Sequence, residues 1–104
     1  MSRTKFGHMV FFKLNDASED AVNALIAGCD EFLKDHAGTV FYSSGTLADT
    51  TRDVNDRDFD VALHLIFESR AAHDAYQVAP RHDEFIAKFK ANWAQVRVFD
   101  TDAS

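Results

Sequence analysis

Tyr76 and His82 flank Pro80 in the run Tyr-Gln-Val-Ala-Pro-Arg-His-Asp-Glu-Phe, residues 76–85. A phenol and an imidazole brought together can donate, accept or relay protons near neutral pH, because imidazole titrates at about 6.5. On an unbroken helix, residues spaced as 76 and 82 are turned away from each other. Pro80 changes that, since it cannot continue a helix without losing a backbone hydrogen bond, and it suits the first turn of a new one. A helix ending near Val78 and another starting at Pro80 meet at an angle, so both side chains can enter one crevice. The plain alternative is a Tyr at the edge of the core and a His at a solvated helix start.

The other histidines divide by position. His8 lies on an otherwise apolar strand parity with Val10 and Phe12. It is either a hydrogen-bonded core histidine or a polar group on a cavity floor that Val10 and Phe12 would share. His64 lies on the more polar parity of a later strand; it looks into the same cavity, or it meets a partner or solvent. Together His8, Val10, Phe12 and His64 are the candidate ligand-binding residues, and Tyr76 and His82 the candidate catalytic pair. His36 falls at the expected end of a helix, where the partial negative charge favours a capping cation. His73 is expected on a helix surface.

No H-x-x-x-H or H-E-x-x-H spacing occurs, and the single cysteine, Cys29, offers no intrachain thiolate site. The four glycines include no GxGxxG phosphate loop, and no G-x-S-x-G elbow is present. If the site performs chemistry, acid–base work on a small organic molecule is expected, with no cofactor and no metal. The other reading, which the lack of a substrate-specific motif favours, is a non-catalytic dimeric module that binds a hydrophobic ligand or serves a structural role. Cys29 itself falls on an apolar helical stripe and reads as a small buried hydrophobe.

Composition narrows the partners. At 104 residues, with ten Phe and 46% hydrophobic residues, the chain suits one domain, residues 1–104 with a core of about 5–100, and can form a real core. A net charge of −6 without a Lys/Arg cluster argues against nucleic acid and against anionic membrane surfaces. No apolar run has signal-peptide or membrane-spanning length, so a soluble, cytoplasmic protein is expected.

Phe6 to Leu14 reads as a strand apolar on both faces. Asp16 and Glu19 have capping-box spacing for a helix that runs to about His36, with Gly38 as its stop. A second strand is expected at about Thr39 to Ser44, then a polar loop of roughly Thr46 to Asp58, more mobile than its flanking strands. Phe59 to Phe67 forms a third strand. Ser69 caps a short helix to about Val78. A helical piece runs from Pro80 to about Ala94, a short strand from Val96 to Asp100, and a frayed tail from Thr101 to Ser104. The order β-α-β-β-α-β is the α+β, ferredoxin-like split-βαβ pattern, with both helices on one sheet face. The first strand's second apolar face then calls for a symmetric copy, so a homodimer is expected. A charge at Val10 or Phe12 is expected to weaken folding and association together.

In these features the chain resembles the stress-responsive A/B barrel, or dimeric α+β barrel, domain family. The resemblance covers His8 to Asp100 and rests on His8-Met9-Val10-Phe11-Phe12-Lys13, Gly45, Phe67-Glu68-Ser69, Tyr76 and Pro80-Arg81-His82. The family's most distinctive element is commonly Tyr-x-x-His-Pro-x-His. Here Ala79 replaces its first His, while His82 retains the second. The resemblance implies a homodimer with barrel cavities, capable of holding a small hydrophobic or carbonyl-containing molecule. A plant polyketide cyclase of this fold is similar at Tyr76, His82 and His8. By that likeness His82 would act as base and Tyr76 as the donor that binds a substrate carbonyl.

Overall fold

The computed structural model describes residues 2–104. It has the elements β1 (Lys5–Leu14), α1 (Glu19–Phe32), β2 (Thr39–Thr46), β3 (Val61–Phe67), α2 (Arg70–Gln77), α3 (Pro80–Phe89), a 3-10 turn (Lys90–Asn92) and β4 (Trp93–Ala103). The four strands form one antiparallel sheet in the order β2-β3-β1-β4, the ferredoxin-like α+β architecture that the element order implied.

Strand alternation assigns the two faces. Phe6, His8, Val10, Phe12 and Leu14 of β1 are buried, and so are Val61, Leu63, Leu65 and Phe67 of β3. These meet Leu25, Cys29 and Leu33, contributed by α1 and the turn that follows it, and Phe85 of α3, in one hydrophobic cluster. Burial pushes the Cys29 thiol up to about 12, so it stays protonated and serves as packing. Val10 and Phe12 thus belong to the helix-side core, and a charge there attacks folding itself. The outward parity of β1 carries Met9 and Phe11.

Several boundaries differ from those expected. Ser18 caps α1, its Oγ accepting from the Ala21 amide at 3.3 Å, while Asp16 accepts from the Ser18 amide at 3.0 Å. The Asp16–Glu19 capping box does not form. The same helix ends at Phe32 with Leu33 as its C-cap, and the turn that follows carries Asp35 at a left-handed φ of 63°. Gly38 follows at φ 83°, where a Cβ would also lie 2.5 Å from that of Ala72. The tail is paired: Thr101, Asp102 and Ala103 continue β4 alongside Gly7, Phe6 and Lys5. The loop before β3 is tied down near its end. Asp56 pairs with Arg97 at 2.6 Å, Asp58 with Lys13, and the Asp60 carboxylate accepts from the Leu14 amide at 2.8 Å.

The α1–α3 contact depends on a close approach at Gly28, where a Cβ would fall 2.2 Å from a ring carbon of Phe89. Gly28→Val should destabilise the fold by roughly 1–3 kcal/mol, the usual cost of overpacking. Urea unfolding checks this, and an unchanged midpoint would contradict the packing described.

Candidate functional site

The helix break forms as Pro80 requires. Val78 ends α2, Ala79 is held extended at φ −68° and ψ 144°, and Pro80 opens α3. The Ala79 carbonyl accepts from the His82 and Asp83 amides at 3.0 and 3.2 Å, closing the first turn. The corner brings the Tyr76 and His82 rings to a centroid separation of 4.8 Å, edge to face.

Tyr76 is only 2% exposed and belongs to the core, packed on Phe67 at 5.1 Å, His36 at 4.9 Å and His8 at 5.9 Å. Burial raises the pKa of its hydroxyl far above the ordinary phenol range, so it stays protonated and able to donate. Burial also lowers the pKa of His82 against the opposing pull of Asp83, with His8, His36 and His73 lowering it further. The His82 ring is therefore neutral and basic at pH 7. Its Nδ1 is buried without a hydrogen-bond partner, which leaves Nε2 as the nitrogen available to a bound molecule.

Both residues line a cavity of about 380 Å³ between sheet and helices. His8, Val10 and Phe12 of β1 form part of its floor, and Leu33, Phe85, Ile86 and Trp93 supply apolar walls. Val96 and Val98 of the edge strand also line it and remain 38% and 49% exposed, so the cavity is open on that side. His64 is not part of it. Pairing sets His64 opposite Met9, and its ring meets Phe11 at 6.3 Å on the other sheet face. The strand parity that gives His8 to the cavity necessarily takes His64 away from it.

Three further polar residues join the site. Asp100, beside His8 in the β1–β4 register, accepts from His8 Nδ1 at 2.7 Å. Burial lowers the His8 pKa, and Asp100 opposes that shift. His73 is buried rather than on the surface, its ring 4.8 Å from that of His8. Gln77 approaches both His8 and His73. The spacing 73, 76, 77 places all three side chains on one helix face, and the parity of Val96, Val98 and Asp100 was equally visible; both signals were present in the sequence. His36 caps as expected, its Nε2–H donating to the Phe32 carbonyl at 2.7 Å.

The depressed His82 pKa has a testable sign. The unfolded chain takes up a proton on this imidazole at about pH 6.5, which the folded chain resists. Stability should therefore fall as pH drops below that point toward the folded pKa, and less so in His82→Gln. Urea midpoints measured across pH 5 to 8 would contradict this if both proteins showed the same slope.

Among solved structures, a dimeric ferredoxin-like protein of unknown function from Thermobifida fusca is 19% identical, with a TM-score of 0.78 over 95% of this chain and 91% of its own. A Dabb family protein with a ferredoxin-like fold from Mesorhizobium loti is 18% identical, with a TM-score of 0.77 over 94% and 95%. The hydroxynitrile lyase of Passiflora edulis is 21% identical, with a TM-score of 0.77 over 98% and 95%. At these identities the likeness is one of fold. No curated protein matches the sequence. Residues 6–103 match the family described as Stress responsive A/B Barrel Domain, and with nearly the whole chain inside that match the protein belongs to this family.

Proposed function

We propose that the protein is a homodimer whose barrel cavity binds a small, largely hydrophobic molecule carrying a carbonyl group. The observation that carries this is a cavity of about 380 Å³ that is apolar except where His8, Tyr76, His82 and their polar neighbours converge. A site of this size and composition suits a compact ligand fixed by one or two polar contacts. The Tyr76 hydroxyl is the donor for a carbonyl oxygen, and His82 is an acceptor beside it.

Dimerisation is supported by the sheet face away from the helices. Phe41 and Phe99 are 53% and 52% exposed there, and Phe11 stacks between Phe59 and Phe99 at 5.0 and 5.8 Å. An apolar face of this kind on a single chain calls for a covering partner. Solved neighbours of the same fold are described as dimeric. A cytoplasmic setting fits a chain whose only cysteine is unpaired and buried. Among the described residues, no helix is long and apolar enough to cross a membrane.

A cofactor-independent, polyketide-cyclase-like enzyme is the second possibility, favoured by the pairing of a neutral His82 with a protonated Tyr76. In that chemistry His82 takes a proton from the carbon next to a carbonyl, and Tyr76 hydrogen-bonds the enolate oxygen. The enolate carbon then attacks a second carbonyl of the same molecule, and the new alkoxide recovers the proton. Native mass spectrometry of the protein as purified tests the binding role. Twice the chain mass plus a released small molecule is expected. The mass of one bare chain would contradict it.

A further inference from the structure

His8 and His73 share an arrangement that acid–base work by Tyr76 and His82 does not use. His8 Nδ1 lies 2.7 Å from an Asp100 oxygen, and His73 Nδ1 lies 3.0 Å from an Asp74 oxygen. A carboxylate only accepts, so each Nδ1 carries the ring proton and each neutral ring presents its Nε2 lone pair. Both lone pairs point at the same place, because the Gln77 side-chain nitrogen is 3.4 Å from His8 Nε2 and 3.3 Å from His73 Nε2. These contacts are longer than a typical hydrogen bond to nitrogen, so the amide fills the position loosely. Both rings are buried, with side chains 6% and 10% exposed. Ligand atoms of His8, His73 and Asp100 lie within 4.8 Å of one another.

Two imidazoles with converging Nε2 atoms, each backed by a carboxylate on Nδ1, have the outer-shell pattern that orients metal-binding histidines. A half-turn of the Gln77 amide would exchange its nitrogen for its carbonyl oxygen and supply a third donor. We propose that His8 and His73, completed by Gln77, bind one divalent transition-metal ion at the cavity wall. Two imidazoles favour zinc, cobalt, nickel or copper over magnesium or calcium, which take oxygen ligands. Three protein ligands leave one position open, toward the cavity, where a carbonyl oxygen can bind. The pair is joined only by folding, β1 meeting α2, so no local sequence spacing reveals it.

Titration of chelator-treated protein with cobalt(II) alone tests the site, read by visible absorption. The wild type should bind one equivalent per chain with a visible band, and His73→Ala should abolish it. Asp74 is exposed, so Asp74→Asn should fold normally and weaken binding about tenfold through loss of the outer-shell carboxylate. That second variant decides the matter should His73→Ala unsettle the core. No band at millimolar cobalt, or wild-type affinity in Asp74→Asn, would overturn the proposal. Because no organic ligand is present, failure here leaves small-molecule binding by Tyr76 and His82 unaffected.

Discussion

Phe99→Asp should convert the protein from dimer to monomer at micromolar concentration while leaving each chain folded. Phe99 is 52% exposed in the isolated chain and lies on the outward sheet face beside Phe11. A carboxylate there remains solvated in a monomer but is buried without a partner in a face-to-face dimer. A two-fold interface contains the substitution twice. Phe99 is already half-covered in the single chain, so its remaining burial contributes roughly 0.7–1.5 kcal/mol on each side, and losing both weakens association by about ten- to a hundredfold. Sedimentation velocity reads the mass, and circular dichroism the fold. An unaltered dimer would place the interface elsewhere. Val10→Asp is the contrasting variant: Val10 faces the helices, so its loss should appear as unfolding rather than as a folded monomer.

His82→Ala should weaken binding of 4-hydroxyacetophenone, a compact aromatic ketone, by about tenfold, the equivalent of 1.4 kcal/mol. Tyr76→Phe should weaken it about fivefold, the loss of one neutral hydrogen bond of about 1 kcal/mol. Both proteins should remain folded. Phe keeps the ring that packs on Phe67 and His36, and removing His82 eliminates a buried, unpartnered nitrogen. Ethylbenzene, which lacks both the carbonyl and the hydroxyl, should bind all three proteins alike. Calorimetry checks the set, and equal losses for both compounds would mean that the substitutions damaged cavity shape rather than polar recognition.

Much of this architecture follows from local pattern. Alternating apolar residues in Phe6–Leu14 and Val61–Phe67, with Pro80 as punctuation, specify strands, order and the Tyr76–His82 corner. Legibility stops where long-range pairing decides. Strand parity leaves His64 open between the cavity and a partner or solvent, and only the register, which sets it opposite Met9 on the other face, decides against the cavity. His73 passed for a surface residue because its burial depends on Phe6 and Phe67, whose rings lie 4.2 and 5.8 Å away. Asp100 is joined to His8 only through the β1–β4 register, a pairing between opposite ends of the chain that no local pattern specifies. Capping misled for a different reason: Asp16 and Ser18 both offer an N-cap oxygen, and backbone geometry selects between them.

Side-chain NMR of labelled histidine and tyrosine during a 4-hydroxyacetophenone titration tests the central claim most directly. The His82 and Tyr76 ring signals should shift together and saturate at a common affinity, while His64, on the opposite sheet face, stays still. Saturable shifts at His64 alone, or none at His82 and Tyr76 up to millimolar ketone, would contradict a carbonyl-binding cavity at the Pro80 corner.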